Sequence, residues 1–318
     1  MIQADALRKV YDTSVAVDHV SLTVPRGRIY GFLGPNGAGK TTTLMMMLGV
    51  IPPTSGVVRL FGQEIGPGRM DLRRRIGVVP ERHPRGTWGS ITVCEYLDFF
   101  AALFGVRRPR DRIAALLERV GLAEARQRAV RELSLGMVQK LSLARALVHE
   151  PDLLFLDEPI NGLDPLGIRQ VRDLILSENR DGRTILISSH LLSEIERTCS
   201  HVGIMFRGRL IADGTMADLL ARVSADREIE VELQESPREI VSRITRDLPF
   251  VLGCAWEAPT LRIRLSREGD RRRELSAYLY RNGCVPVRFQ ERARSLEEAF
   301  VTITGENVEL LARTGGPG

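Results

Sequence analysis

A chain of 318 residues with 43% hydrophobic and 27% charged side chains has material for about two globular domains, which excludes the disordered and fibrous classes. Its net charge of +5 comes from interspersed acids and bases, a weak signal for nucleic acid or anionic lipid. The cysteines, Cys94, Cys199, Cys254 and Cys284, show neither C-x-x-C nor His-assisted metal spacing, and the longest apolar stretch, Leu44 to Ile51, falls far short of the roughly 18 to 20 residues of a bilayer helix.

The opening residues carry Asp5, Arg8, Lys9, Asp12 and Asp18 without a central apolar block, so no secretory signal is expected and the chain is placed in the cytoplasm. Residues 2 to 27 alternate apolar and polar around Val15-Ala16-Val17 and Val20 to Val24, then turn at Pro25-Arg26-Gly27, which predicts a small antiparallel β region. Tyr11, just ahead of it, is either a surface tyrosine or a ring able to stack on adenine.

Arg28 to Leu33 predicts a buried strand, and Thr41 to Leu48 a helix stopped by Gly49 and Pro52. Between them, Gly34-Pro35-Asn36-Gly37-Ala38-Gly39-Lys40-Thr41-Thr42 fits the phosphate-loop pattern G-x-x-x-x-G-K-[ST]. The glycines let the backbone curl so that successive N–H groups point inward, and the helix N-terminus adds partial positive charge. Lys40 is expected to reach the β- and γ-phosphates, the Thr41 hydroxyl to join a Mg²⁺ shell, and Thr42 to lie near the α-phosphate. Strand before and helix after weigh against a merely flexible turn.

Gly56 to Phe61 predicts a short strand before a Gly/Pro-rich turn. Arg73 to Glu81 then reads as a basic helix end, a buried strand and a carboxylate at the strand's exit, where parallel sheets present groups to ligands. The three arginines read as a solvated face. Residues 91 to 150 have helical period, with helices at Val93 to Leu103, Asp111 to Val120 and Leu135 to His149 separated by Gly105, Pro109 and Gly121, a helical subdomain inserted into the sheet domain. The last helix opens at Leu133-Ser134-Leu135-Gly136-Met137-Val138-Gln139-Lys140. Ser134 is a good N-cap and Gly136 would let a ligand approach the first-turn amides, so plain capping and ligand binding both stand.

Leu153-Leu154-Phe155-Leu156-Asp157-Glu158 predicts a strand buried on both faces with two acids at its C-terminal edge. Beside a phosphate loop, Asp157 is expected to hold Mg²⁺ and Glu158 to take a proton from attacking water. A turn at Asn161 to Pro165 leads into a helix to about Asn179. Thr184 to His190 is another buried strand ending in a polar residue, where His190 would contact the γ-phosphate. Val202 to Ala212 reads as a hairpin through Arg207-Gly208-Arg209, and Thr215 caps a helix to about Arg222. Residues 228 to 305 then follow the order β-α-β-β-α-β, including a strand from Val285 to Arg292. A capping box at Ser295 to Glu298 opens a last helix, and residues 306–318 form a tail, frayed from Arg313.

Together these motifs resemble the ATP-binding subunit of ABC transporters over residues 1 to about 222: Gly34 to Thr42 as Walker A, Leu133 to Lys140 as the signature, Leu153 to Glu158 as Walker B, Asn161 to Asp164 as the D-loop, His190 as the switch histidine, Tyr11 as the adenine-stacking aromatic. The resemblance implies an α/β P-loop ABC ATPase cassette, a mixed sheet plus helical subdomain, here with a small C-terminal α+β ferredoxin-like domain. It also implies ATP and Mg²⁺, a head-to-tail dimer in which Ser134 and Gly136 act on the partner's nucleotide, and Asp164 as a nucleotide-binding residue of the D-loop. The pattern departs from the family in two places. Glu81 stands for the usual glutamine, as a catalytic or Mg²⁺-positioning group, and the signature lacks its first glycine and its glutamine. Both variants resemble the drug-resistance and ABC-2-type exporter branch, so the expected partners are a membrane permease and a second cassette at the cytoplasmic face of the membrane, not nucleic acid. An importer ATPase and a soluble ABC ATPase acting on ribosomes or DNA stay open as alternatives.

Overall fold

The structure is a computed structural model, described for residues 1–66, 68–81, 88–223, 226–233, 237–266, 269–292 and 295–313. Two compact units divide the chain, one built on Met1–Met216 with the stretch from Thr304 onward, the other on Ala217–Ile303.

Two sheets enclose the core of the first unit. Strands β1 (Ile2–Tyr11), β2 (Ser14–Val24), β4 (Ser55–Leu60) and β5 (Gln63–Glu64) form an antiparallel sheet in the order β2-β1-β4-β5. Strands β3 (Ile29–Leu33), β6 (Ile76–Val79), β7 (Leu153–Asp157), β8 (Thr184–Ser189), β9 (His201–Phe206) and β10 (Arg209–Thr215) form a mixed sheet in the order β10-β9-β3-β8-β7-β6. Only the β9–β10 hairpin is antiparallel there. Every residue of β3 and β8 is buried, which is why these strands read as unbroken apolar runs rather than as alternation. Helix α1 (Lys40–Met47) lays Leu44, Met46 and Met47 between the sheets, against Ile2, Leu7 and Val20 on one side and Tyr30, Phe32 and Phe155 on the other. Each such buried side chain stabilises the fold by about 1.5–3 kcal/mol.

After the short helix α2 (Met70–Arg73) and β6 come three helices, α3 (Val93–Phe104), α4 (Pro109–Arg119) and α5 (Leu135–Leu147), packed on one another. The Thr92 hydroxyl accepts from Glu95 N at 3.2 Å while Glu95 Oε2 accepts from Thr92 N at 2.7 Å, a reciprocal cap that fixes where α3 starts. Pro109, expected to break the chain between helices, instead occupies the first turn of α4, where its missing N–H costs nothing. The first unit continues through α6 (Pro165–Arg180) and α7 (Leu192–Thr198), and α8 (Met216–Val223) follows β10. The arginines read as a solvated face are partly engaged: Arg75 Nε reaches Asp152 at 2.7 Å and Arg73 donates to Gly49 O at 3.0 Å.

The second unit contains β11 (Arg227–Glu232), α9 (Arg238–Asp247), β12 (Val251–Glu257), β13 (Thr260–Leu265), α10 (Arg272–Arg281) and β14 (Arg288–Arg292). Its antiparallel sheet runs β12-β13-β11-β14, the spatial order of a ferredoxin-like β-α-β-β-α-β motif. Ile229, Val231, Leu261, Ile263 and Leu265 face the helices, and the alternate positions carry charged pairs such as Arg262–Glu230 and Arg292–Glu228. Strand β14 begins at Arg288 rather than at Val285, because Pro286 has no N–H to give a ladder and Val285 and Val287 stand exposed. Helix α11 (Leu296–Arg313) passes residue 306, where a tail was expected to begin; the rest of that expected tail, 314–318, lies outside the described residues.

Candidate active site

The parallel pairings set the site. Leu33 at the end of β3 pairs with Ser189 at the end of β8, and Asp157 at the end of β7 pairs with Ser188, so the phosphate loop and the acids leave the sheet at one edge. The loop curls through Gly37 and Gly39, both at positive φ, and a Cβ on Gly39 would sit 2.5 Å from Ala16 O. The first helical bond is Thr43 N to Gly39 O at 2.9 Å, which leaves the amides of Lys40, Thr41 and Thr42 without intrahelical acceptors. Asn36 to Thr42, Glu81, Asp157, Glu158, Asn161 and His190 line one cavity of about 610 Å³.

The side chains there are held by one another. Lys40, 7% exposed, folds its ammonium back on the loop, donating to Gly34 O at 2.8 Å and Pro35 O at 3.3 Å. Gly34 therefore serves through its carbonyl. The Thr41 hydroxyl donates to Asp157 Oδ2 at 3.5 Å, and the Ser188 hydroxyl donates to Asp157 Oδ1. Burial pushes the Asp157 carboxyl above the ordinary aspartate range; the Ser188 hydrogen bond opposes it, Glu81 adds to it, and Lys40 and Thr41 oppose it. Glu158 is buried at positive φ (+48°), its N–H shared between Ser188 O at 3.1 Å and Ser188 Oγ at 3.2 Å, and its Oε2 lies 2.9 Å from His190 Nδ1. Acid and imidazole form a pair at the cavity wall.

Four expected residues stand elsewhere. Tyr11 does not line the cavity; its exposed ring has Lys9 Nζ 5.2 Å from the centroid, although its cross-strand neighbour Ser14 is a lining residue. Ser134 caps α5, accepting from Met137 N at 3.3 Å, and Asp164 caps α6, accepting from Gly167 N at 2.7 Å. Gly136 adjoins the 161–164 turn, where a Cβ on it would lie 3.7 Å from Leu163 Cδ2. Gly136 thus lies against the turn that ends in Asp164, and Ser134, Gly136 and Asp164 do not line the Lys40 cavity.

Sequence reasoning also passed over contributors. Ser188 holds Asp157 only because β7 and β8 pair in this register, and register between parallel strands is not written in either strand. Arg207, seen merely as a hairpin turn residue, lines the cavity with Ser14, Val15 and Ala16.

Residues 17–161 match the family described as ABC transporter. The "Bacitracin transport ATP-binding protein BcrA" of Enterococcus faecalis is 36% identical over 308 residues, 96% of either chain. The chain belongs to the ABC transporter family. The protein called BcrA in Bacillus licheniformis is 45% identical over 214 residues, 67% of this chain and 69% of that one, and the "Nod factor export ATP-binding protein I" of Cupriavidus metallidurans is 35% identical over 97% of this chain and 98% of that one. Among solved structures, the "ATP binding subunit of ABC transporter" superposes with a TM-score of 0.64 at 29% identity, covering 70% of this chain and 92% of that chain. Another, cbiO1 from Clostridium perfringens, gives 0.63 at 28% identity, covering 78% and 95%. This ABC protein is thus an ATPase, the nucleotide-hydrolysing component of a transport system.

Proposed function

We propose that the chain hydrolyses Mg²⁺-ATP at the cavity between Lys40 and the Glu158–His190 pair and that a separate membrane permease uses the cycle, in the direction of export. One observation carries the reading: the unbonded amides of Lys40 to Thr42, the Lys40 ammonium and the acids of β7 converge on one cavity. The first two attract phosphate oxygens, and the acids suit a hard cation and an attacking water. Asp157 and Thr41, already within 3.5 Å of each other, would hold Mg²⁺ with Glu81 nearby; oxygen donors in small number are what that ion takes when phosphates complete its shell. Bound there, Mg²⁺ would neutralise charge developing on the phosphates.

In this mechanism Lys40 turns from its loop carbonyls to the β- and γ-phosphates. Glu158 takes the proton of the attacking water, and His190 holds that carboxylate in place across its 2.9 Å contact while its ring faces the γ-phosphate. Ser134, Gly136 and Asp164, away from the cavity of their own chain, act in trans on the ATP of a second cassette. Closure of that dimer by ATP and its release after hydrolysis supply the two states that drive transport. Export rests on the relatives, one named a Nod factor export protein and another a probable multidrug ABC transporter ATP-binding protein. Among the described residues no helix is long and apolar enough to cross a membrane, so transport by this chain calls for a separate spanning partner, with the cassette at the cytoplasmic face.

The test is to purify tagged Glu158→Gln protein from native membranes in mild detergent with ATP and identify what accompanies it. A multi-spanning membrane protein supports the reading; ribosomal proteins or DNA without one would sink it in favour of a soluble ABC ATPase.

A further inference from the structure

We infer that Arg207 is a nucleotide-binding residue, gripping the α-phosphate of ATP from the side of the cavity opposite the catalytic acids. This rests on the reading of the cavity as an ATP site and deepens it.

Topology sets the side. The phosphate loop leaves β3, which lies between β8 and β9; β8 and β7 carry Ser188 and Asp157, with Glu158 just past β7, on one flank, and β9 ends at Phe206, with Arg207 the next residue, on the other. Arg207 therefore meets the cavity beside Ala38 and Ala16 rather than beside the Mg²⁺ and water groups. A nucleotide whose terminal phosphate faces Glu158 presents its α-phosphate and ribose there.

The turn that carries Arg207 is built to hold it. Arg207 and Gly208 both have positive φ (+47° and +79°), the mirror-image two-residue turn that matches the twist of a hairpin. Asn-Gly makes such a turn with less strain; an arginine at its first position is an outlier that asks for a function. Gly208 is fastened on both sides, its N–H donating to Ala38 O of the phosphate loop at 3.0 Å and its carbonyl accepting from Asp18 N of β2 at 2.8 Å. A Cβ at Gly208 would lie 3.0 Å from Ala16 O, so glycine is what lets the turn seat against β2. The backbone under Arg207 thus moves with the phosphate loop.

The charge of Arg207 is also uncommitted. Its neighbour Arg209 is paired with Asp18 at 2.7 Å, whereas among the described residues Arg207 has no carboxylate partner, only the Phe206 ring 5.3 Å from its guanidinium carbon. A phosphate oxygen offers the anion that the guanidinium fork fits.

The experiment measures equilibrium binding of labelled ATP, with ADP, AMP and adenosine as competitors, to the full chain and its Arg207→Asn, Arg207→Lys and Lys40→Ala variants. Arg207→Asn keeps a residue suited to positive φ and removes only the charge. It should weaken ATP, ADP and AMP alike by about tenfold and leave adenosine unchanged, with Arg207→Lys recovering most of the loss. Weakening of ATP alone would place the contact on the terminal phosphates and overturn the assignment, as would equal weakening of adenosine or wild-type binding of all three nucleotides by Arg207→Asn. Lys40→Ala separates the two readings: if it binds ATP as wild type does, the ATP site itself has been misplaced, whatever Arg207 does.

Discussion

Glu158, the base in the proposed mechanism, shows how the backbone fixes a single side chain in place. A non-glycine side chain at φ +48° costs about 1 kcal/mol, and the two bonds from its N–H to Ser188 hold it there with the carboxylate against His190. Glu158→Gln keeps the shape and removes the base, so turnover should fall by about 10²- to 10⁴-fold while ATP-dependent dimerisation, read by light scattering, persists. Turnover near wild type would remove Glu158 from that role. Asp157 makes a complementary case. Its carboxyl titrates higher in the fold than unfolded, so the fold binds protons more readily there; its charge costs stability in full above the raised value, and the cost fades as pH falls toward the ordinary aspartate value. Asp157→Asn removes that cost and keeps an acceptor for Ser188. The nucleotide-free variant should melt no lower than wild type, and higher by about 2–4 °C if 1 kcal/mol is relieved, while Mg²⁺ no longer strengthens its ATP binding. A lower melting temperature would show that the carboxylate stabilises the empty site.

At the scale of elements, the helical segment is fastened to the sheet by polar contacts. The His149 ring, just past α5, stacks on Phe104 of α3 at 3.9 Å between centroids, and its Nε2 lies 3.0 Å from Ile76 O of β6. Burial holds the imidazole below the ordinary histidine value, more than the Ile76 carbonyl raises it, and Arg112 lowers it further. The unfolded chain therefore takes the proton first. Stability is whole above the ordinary value and is lost as pH falls from about 6.5 toward the depressed value, a slope in urea midpoints that His149→Gln should flatten. Glu178 of α6 is buried between Arg119 of α4 and Arg183, 2.8 Å from each. Glu178→Ala leaves two arginines facing one another and should cost about 3–5 kcal/mol in the same measurement. Apart from the Glu178–Arg183 pair, these fastenings join residues far apart in the chain, so they were not legible in the sequence. Gly34 to Thr42, Asp157 and the cap at Ser134 depend on neighbours within a few positions, and the sequence displays them. Glu178 reads as one more surface acid on a helix, and Pro109 as a breaker, until the packing around them is known.

The whole molecule joins two kinds of stability in one chain. Residues through Met216 hold the complete cavity and its own core, while Ala217–Ile303 has a separate core around Ile229, Ile244, Ile263 and Leu279. The order of strands and helices in the second unit was readable because its elements alternate cleanly, whereas its role was not, because no motif there carries chemistry. We propose that the two units unfold as separate domains, and ligand linkage distinguishes them. A ligand that binds only the folded cassette stabilises it by RT ln(1 + [L]/Kd), about 2.7 kcal/mol at a hundredfold excess over Kd, and leaves any unit it does not touch where it was. For a unit of this size that is a rise of roughly 5–10 °C. Calorimetry of the Glu158→Gln chain with Mg²⁺-ATP should therefore show two transitions, one moving by that amount and the other fixed. Removal of ATP should return the first to its starting temperature. A single transition that moves as a whole would mean that Ala217–Ile303 is thermodynamically part of the cassette, and its contribution would then be sought in the hydrolytic cycle itself rather than in an appended domain.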